Sequence, residues 1–442
     1  MNSESLTLTP KTKAMPPTAA QHNLIVSTMA ENLIGSEIIK LGGEINERIK
    51  KGEKINNYTI GDFDPKVFPI PQELTDEIIR AMREGHTNYP TANGIIELRK
   101  AVAAFLNRFL KLDYSSDEIL ITSGARPAIY AAYITLLDEG DKVIYPVPSW
   151  NNNHYIHLSR ARGVMVETTV ENNFMPTADD IRPHISDATL IALCSPLNPT
   201  GTTFTADVLA EICDMILEEN NRRTTDEKPL YLLYDQIYWA LTFRDTVHVN
   251  PVSLRPEMRN YTIFVDGLSK AFAATGIRVG WTFGPHLIID KMKAILSHVG
   301  AWAPKAEQVA SARYLNKDEC INHFLTHFKN EIDYRLEHFY NGIQQLKNKG
   351  YAVDAIAPQA AIYLTVQFNL IGKKTIEGKI LEDSDDILHY LIDEAKVALV
   401  PFSAFGASTD STWYRLSVGT CSRGEIDGVI NNLNFALSRL NN

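Results

Sequence analysis

Cysteine, long apolar runs and an excess of positive charge are all missing from this chain. Only 4 of its 442 residues are cysteine, and none stands in a CxxC pair, which argues against a disulfide framework or a zinc–thiolate knuckle. No apolar run approaches the roughly 20 residues of a membrane span. The 53 Asp and Glu outnumber the 43 Lys and Arg, which argues against a broad nucleic-acid face but allows one basic pocket for a small anion. We expect a soluble, cytoplasmic protein without nucleic-acid or membrane partners.

Two common nucleotide signatures are also absent, because neither G-x-G-x-x-G nor G-x-x-x-x-G-K-[ST] occurs. No metal site is predicted. His323 and His327 stand four residues apart, but the Glu of H-E-x-x-H and a third ligand are missing. Residues 1–25 are polar and interrupted by prolines, so we expect a flexible N-terminal arm without the apolar core of a signal peptide.

Strands and helices alternate between residues 117 and 285. Several of the strands are apolar throughout, which is typical of strands buried on both faces of a parallel sheet. The predicted strands are 118–124, 142–148, 164–170, 189–195, 230–235, 262–267 and 278–284. We therefore predict an α/β fold with a mostly parallel seven-stranded sheet sandwiched by helices. In such sheets ligands bind at the carboxyl ends of the strands.

The regions on either side of this sheet have a different pattern. Helices are predicted over 30–51, 71–84, 95–110 and 425–440, and strands over 58–65, 361–368, 397–402 and 413–419. The charged run 220–228 predicts a solvated loop. We expect a large domain over residues 60–310 and a smaller α+β domain formed by residues 26–59 and 311–442.

Polar residues recur where the predicted strands end. They are Asn198 in SPLNPTG, Asp235 and Tyr238 in YDQIY, Lys270 in SK, Arg278 in TGIRVGW and Arg415 in YRLS. A lysine whose amine is desolvated has a lowered pKa and attacks aldehydes, although a lone SK dipeptide is more often a surface lysine. An arginine eight residues later could bind a phosphate through two hydrogen bonds. An aspartate that ends a buried strand needs a cationic or proton-donating partner.

The ordered set NPTG, YDQIY, SK-x7-R and YRLS resembles the fold-type I, pyridoxal-phosphate-dependent aminotransferases of class I/II, the aspartate aminotransferase-like group. The resemblance covers the chain from about Glu31 to its C-terminus. It implies pyridoxal 5′-phosphate as the cofactor. It also implies transfer of an amino group between an L-amino acid and a 2-oxo acid by a ping-pong cycle, in which the enzyme releases one product before the second substrate binds.

The resemblance implies a role for each matching residue. Lys270 would bind the cofactor as a Schiff base and move the substrate proton. Asp235 would pair with the pyridine nitrogen, while Tyr238 and Asn198 would hydrogen-bond the phenolic oxygen.

Further matching positions concern the two anionic groups. The matches to the phosphate site are Gly124, Ala125, Arg126 and Arg278. Arg415 would grip the substrate α-carboxylate, with Gly61 and Asn198 beside it.

Two aromatic positions extend the match. Trp150 corresponds to the ring stacked on the pyridine, and its alternative is a core tryptophan. Tyr89 corresponds to a tyrosine that reaches the phosphate of the neighbouring subunit, which implies a homodimer with shared active sites. One position departs from the pattern. Gly267 stands where many relatives have a Ser or Thr phosphate ligand, and Ser269 is a doubtful substitute.

Substrate choice stays open at this point. Acid-specific members of one subgroup have a lysine at the position of Arg126, so this arginine could bind the distal carboxylate of aspartate or glutamate. Equally, it could cap the helix or face the phosphate. An aromatic or broad-specificity aminotransferase, a carbon–sulfur β-lyase and a non-catalytic ligand sensor are the alternatives, although the N-terminal segment is too short and insufficiently basic for a DNA-binding domain.

Overall fold

The computed structural model describes residues 26–33, 35, 37–150 and 152–441. The chain divides into two compact units, Met1–Ile34 and Gly35–Asn442. In the described part of the first unit, a short helix begins after Ser27, whose Oγ accepts from the amide of Ala30 at 3.3 Å. The flexible arm predicted for residues 1–25 lies outside the described residues. The helix predicted over 30–51 is found in the second unit from Glu37 to Lys50.

The secondary structure of the described residues follows. The helices are α1 (Thr28–Glu31), α2 (Glu37–Lys50), α3 (Gln72–Arg83), α4 (Ile96–Leu110), α5 (Ala125–Leu136), α6 (Asn152–Ser159), α7 (Ala178–Ile181), α8 (Ala206–Arg222), α9 (Pro251–Leu254), α10 (Leu268–Ala271), α11 (His286–Val299), α12 (Lys305–Tyr314), α13 (Asp318–Asn348), α14 (Ser384–Tyr390) and α15 (Ile426–Ser438). The strands are β1 (Asn56–Asn57), β2 (Ile119–Thr122), β3 (Lys142–Val147), β4 (Arg162–Glu167), β5 (Ala188–Cys194), β6 (Tyr231–Asp235), β7 (Thr262–Gly267), β8 (Gly280–Phe283), β9 (Val353–Ala355), β10 (Tyr363–Phe368), β11 (Val397–Ala398), β12 (Val400–Pro401) and β13 (Trp413–Ser417).

The seven strands predicted between residues 117 and 285 form one sheet in the order β2-β8-β7-β6-β5-β3-β4. The pairs from β7 to β4 are parallel, and β8 runs antiparallel to both of its neighbours. The prediction of a mostly parallel seven-stranded sheet is confirmed. Strands β5, β6 and β7 end side by side at Cys194, Asp235 and Gly267, so the segments that follow them start from one edge of the sheet.

Helices cover both faces of this sheet, because successive side chains of β7 pack against different helices. Phe264 packs into a core with helices α4 and α8. Its neighbours Ile263 and Val265 pack into a second core with α5 and α11. Because successive side chains of a strand point to opposite faces, a strand covered on both sides must be apolar throughout.

A further core lies around smaller sheets. Strands β9, β10, β12 and β13 form an antiparallel sheet in the order β12-β13-β10-β9, and β1 pairs in parallel with β11. Side chains of α13 and α15, such as Phe339 and Leu433, pack with Leu364 and Leu416 of that sheet. The division into a large and a small domain at the predicted boundaries stays a prediction. Within the described part of the chain, no helix has both the length and the apolar character that a bilayer crossing requires.

The strand predicted over 58–65 was wrong, because only Asn56 and Asn57 pair as a strand. Beyond Tyr58 the chain turns, and the amide of Phe63 donates to Oδ1 of Asp62 at 2.8 Å. The carbonyl groups of Thr59 and Gly61 accept from side chains instead of from a neighbouring strand. This segment therefore forms part of the site described below.

The charged run 220–228 is only partly the solvated loop that was predicted. Helix α8 continues to Arg222, and the side chain of Arg223 is buried. Arg223 donates to Glu219 at 2.9 Å and to the carbonyls of Ile185 and Ala188 at 2.9 and 2.8 Å. A guanidinium that satisfies a carboxylate and two carbonyls together can be buried at low cost.

Candidate active site

A cavity of about 650 Å³ opens where β5, β6 and β7 end. Most of the predicted site residues line it: Gly61, Ala125, Arg126, Trp150, Asn198, Asp235, Tyr238, Lys270, Arg278 and Arg415. The carboxyl edge of a parallel sheet is where ligands of α/β proteins bind. The structure thus brings together residues that are far apart in the sequence.

Lys270 lies on the single helical turn α10, directly after β7. Its Nζ donates to the carbonyl oxygen of Gly61 at 2.6 Å. Removal from bulk water lowers the pKa of the amine from 10.5 to about 8, and the carboxylate of Asp62 partly opposes this change. An amine with this pKa is neutral in an appreciable fraction of molecules near neutral pH, so it can act as a nucleophile or a base.

Asp235 ends β6 and Tyr238 follows in the next turn. The amide of Ile237 donates to Oδ1 of Asp235 at 3.0 Å, and desolvation raises the pKa of the carboxyl to about 6. The hydroxyl groups of Tyr238 and Tyr363 lie 2.5 Å apart. Burial raises the pKa of Tyr238 well above its usual value, so the phenol is neutral and can donate a hydrogen bond.

Arg415 of β13 is 1% exposed. Its Nη1 donates to Oδ1 of Asn198 at 2.9 Å and its Nη2 to the carbonyl of Thr59 at 2.6 Å, while its buried Nε has no partner among the described residues. The guanidinium lies over the rings of Tyr363 and Phe405, 4.7 and 5.0 Å from their centroids. Burial lowers its pKa. A buried cation without a carboxylate partner is a strong attractant for a carboxylate ligand.

The amino end of α5 and Arg278 form a cup for an anion. Gly124 precedes this 12-residue helix with φ +84° and, being glycine, has no side chain that could cap the first-turn amides. Arg278 donates to the carbonyls of Thr275 and Ser123 at 2.7 and 2.8 Å. A Cβ on Gly124 would lie 2.1 Å from Nη2 of Arg278, so backbone and guanidinium are in contact. Free amides at a helix amino end together with an arginine suit a phosphate.

Gly267 has a steric reason to lack a side chain. A Cβ there would lie 2.8 Å from Cα of Gly280, and a Cβ on Gly280 would lie 2.6 Å from the carbonyl carbon of Gly124. Three backbone segments therefore touch beside the anion cup. A hydroxyl-bearing residue at position 267 would collide with β8.

Arg126 and Trp150 form one wall of the cavity. The guanidinium carbon of Arg126 lies 5.3 Å from the centroid of the Trp150 ring, a cation–π distance. Among the described residues no carboxylate forms an ion pair with Arg126, and the side chain is exposed. Trp150 also packs 6.3 Å from Phe405, so it is half-buried and lines the cavity at the same time.

The chain was compared with known proteins. Residues 54–433 match the model of the family "Aminotransferase class I and II". That match spans most of the chain. The chain belongs to this aminotransferase family.

Individual relatives agree with the family match. An aspartate aminotransferase of Geobacillus stearothermophilus is 32% identical over 360 residues, which cover 80% of this chain and 84% of the relative. The crystal structure of the Rhizobium meliloti aspartate aminotransferase has a TM-score of 0.86 at 27% identity and covers 95% of this chain and all of its own. The Thermus thermophilus aspartate aminotransferase with maleate has a TM-score of 0.83 at 25% identity, covering 94% and 100%. The predicted family, fold and aminotransferase activity are confirmed.

Tyr89 of this aminotransferase lies away from the cavity of its own chain. Its side chain is 81% exposed, and its ring packs edge-on against Trp302 with the centroids 5.3 Å apart. It lines a separate open groove with His86 and Lys305. The predicted contact to a neighbouring subunit stays a prediction.

Asp62, Thr275 and Tyr363 of this aminotransferase also line the cavity, although none was predicted from the sequence to be a site residue. Tyr363 could have been predicted, because a phenol inside a buried strand needs a partner for its hydroxyl. Ser269 also lines the cavity, so a role for its hydroxyl stays a prediction.

The lowered pKa of Lys270 predicts how the stability of the cofactor-free aminotransferase depends on pH. Below pH 8 the folded protein holds a charged, desolvated amine, whereas above pH 10.5 the amine is neutral in both the folded and the unfolded chain. Lys270→Met should therefore be more stable than the wild type at pH 7, by up to about 3 kcal/mol. The difference should shrink as the pH rises from 8 to 10.5. Urea unfolding at pH 7, 8.5 and 10 measures it.

The exposed Lys100 on α4 provides the matched control. Lys100→Met also removes one positive charge but no desolvated amine. A stability difference for Lys270→Met that is equal at all three pH values would contradict the interpretation.

Proposed function

We propose that this aminotransferase binds pyridoxal 5′-phosphate in the cavity and transfers an amino group between an L-amino acid and a 2-oxo acid by a ping-pong mechanism. The observation that carries the proposal is the desolvated Lys270 amine, which shares one cavity with an anion cup, the Asp235 carboxyl and Arg415, for which the described residues provide no carboxylate partner. We also propose a cytoplasmic location, because the free cysteines suit a reducing compartment.

The donor set suits each part of this cofactor. The phosphate would be held by the amides of Ala125 and Arg126 and by the guanidinium of Arg278. Gly124 keeps this cup open, because a side chain there would collide with Arg278. Asp235, whose carboxyl lacks a cationic partner among the described residues, would accept from the protonated pyridine nitrogen.

The remaining groups would position the ring. Trp150 would lie against its face. Tyr238 and the amide nitrogen of Asn198 would donate to its phenolic oxygen, because both side chains reach the cavity next to Asp235.

When bound, the cofactor accepts the electron pair that remains on the substrate when the Cα–H bond breaks. Lys270 would take that proton from Cα and deliver it to C4′ of the cofactor, for which a pKa of about 8 is suited near neutral pH. Arg415 would bind the α-carboxylate through two parallel N–H···O hydrogen bonds from its guanidinium. Both the amino acid and the 2-oxo acid have that carboxylate, so one arginine serves both half-reactions.

The decisive measurement is a donor and acceptor panel on the purified, cofactor-loaded protein. Wild type should transfer amino groups from L-amino acids to 2-oxo acids, and Lys270→Ala should reduce turnover by about a thousandfold or more. Full transaminase turnover in Lys270→Ala would refute the role of this lysine. Release of pyruvate, ammonia and homocysteine from cystathionine without an acceptor would instead identify a β-lyase.

We propose in addition that Arg126 favours substrates with a second carboxylate. Its guanidinium faces the cavity above Trp150 without an acidic partner among the described residues. The similar Thermus thermophilus enzyme is described with maleate, a dicarboxylate.

Arg126→Ala should lower the ratio of kcat/KM for aspartate to that for phenylalanine by about tenfold or more, because it removes one charge-assisted contact to the distal carboxylate. Arg126→Lys should keep part of the preference. Steady-state kinetics with both donors measures the ratio. An equal loss for both donors would assign Arg126 to the phosphate or the helix end.

We further propose a homodimer in which Tyr89 of the partner subunit completes the phosphate site. The exposed ring and its groove beside Trp302 leave Tyr89 accessible to another copy. Such a site needs Lys270 from one chain and Tyr89 from the other.

Mixing subunits tests this arrangement. Lys270→Ala and Tyr89→Ala should each be impaired alone, the latter through weaker cofactor binding. After subunit exchange in a one-to-one mixture, half of the dimers are hybrids with one intact site, so activity should rise to about a quarter of the wild-type value. A mixture no more active than the average of its two components would contradict shared sites.

A further inference from the structure

More cationic than anionic side chains line the cavity, and one of these charged side chains has no role in the proposed function. Four are cationic: Arg126, Lys270, Arg278 and Arg415. In the part of the chain that the structure describes, the carboxylates lining it are Asp62 and Asp235. The function proposed above uses all of these groups except Asp62.

Asp62 is held in place although its side chain is exposed to the cavity. Its Oδ1 accepts from the amide of Phe63 at 2.8 Å and from the hydroxyl of Thr275 at 2.7 Å. Its carbonyl is packed so closely against Gly419 that a Cβ there would lie 2.0 Å away. The carboxylate therefore has a defined position on the loop whose Gly61 carbonyl receives Nζ of Lys270.

We propose that Asp62 is a positioning residue that balances the positive charge around Lys270, with Thr275 as the group that holds its carboxylate toward the cavity. This inference depends on the proposed role of Lys270. Asp62 acts through the lysine and needs no contact with the substrate.

The groups around the amine show why such a balance matters. Desolvation and the three guanidinium groups of Arg415, Arg126 and Arg278 all lower the pKa of Lys270, and Asp62 raises it. The other carboxylate, Asp235, is used by the proposed pyridine contact. Nζ also lies 5.5 Å from the ring centroid of Phe63 and 5.7 Å from that of Tyr238. Without Asp62 the amine would be harder to protonate, so the proton it takes from Cα would be held less firmly.

The charge and the hydrogen bond can be separated by substitution. Asp62→Asn removes the charge but keeps a side-chain oxygen as the acceptor for Thr275. Thr275→Val keeps the charge but removes the hydrogen bond. Asp64→Asn is the matched control, because Asp64 lies on the same loop, accepts from the amide of Lys66 at 2.9 Å and does not line the cavity.

The test is a pH titration of the visible absorbance of each cofactor-loaded protein, which reports the protonation of the nitrogen of Lys270 and does not depend on turnover. We expect the midpoint of Asp62→Asn to fall by about half a pH unit or more, that of Thr275→Val to fall less, and that of Asp64→Asn to stay unchanged. An unchanged midpoint in Asp62→Asn would overturn the inference, as would an equal shift in Asp64→Asn.

Failure of the proposed function gives a different result. If Lys270→Ala kept the pH-dependent visible absorbance of the wild type, Lys270 would not be the group being titrated, and the proposed function itself would fail. Circular dichroism of each Asp62, Thr275 and Asp64 variant, with the spectrum of the wild type expected, shows that the titrations compare intact folds.

Discussion

The site depends on the burial of Arg415, which has no acidic partner in the part of the chain that the structure describes. Water reaches only 1% of this side chain, and the groups that compensate its charge are an amide oxygen, a backbone carbonyl and the faces of two rings. Such partners satisfy individual N–H groups but supply no negative charge. In the proposed function a substrate carboxylate would supply that charge, so substrate binding would offset the cost of burying the arginine. Asn198, Thr59 and Tyr363 all contact this one cation.

The segment from Thr59 to Asp62 connects Arg415 with other polar groups of the cavity. Three of its polar contacts go to Arg415, to Lys270 and to Thr275, which belongs to the turn before Arg278. An extended strand would have used the Thr59 and Gly61 carbonyls for pairing. Because the chain leaves the sheet after Asn57, these carbonyls can bind the cations instead.

Much of this arrangement could be predicted from the sequence, for physical reasons. The seven central strands were predictable because strands covered on both faces are apolar throughout, and Asn198, Asp235 and Lys270 were predictable because polar groups stand out just after such strands. Contacts between distant segments were not. Thr275 lies 213 residues from Asp62, and Tyr363 lies 125 residues from Tyr238. No local pattern indicates that these hydroxyl groups meet their partners, and Gly267 looked like a lost ligand until Gly280 was seen against it.

The contact of Gly124, Gly267 and Gly280 has a consequence for altering this enzyme. Gly124 precedes helix α5, Gly267 ends the strand before Lys270, and Gly280 begins the strand after Arg278. Their backbones touch with no side chain between them. A Cβ on Gly124 would collide with the guanidinium of Arg278, one on Gly267 with the backbone of Gly280, and one on Gly280 with the backbone of Gly124, so enlarging any of these glycines disturbs a neighbour. Efforts to change substrate range should leave these three glycines intact and vary other residues, such as Ile38 and Ile39 of α2, whose side chains line the cavity. New specificity in this scaffold can evolve at such side chains, whereas the three glycines are restricted.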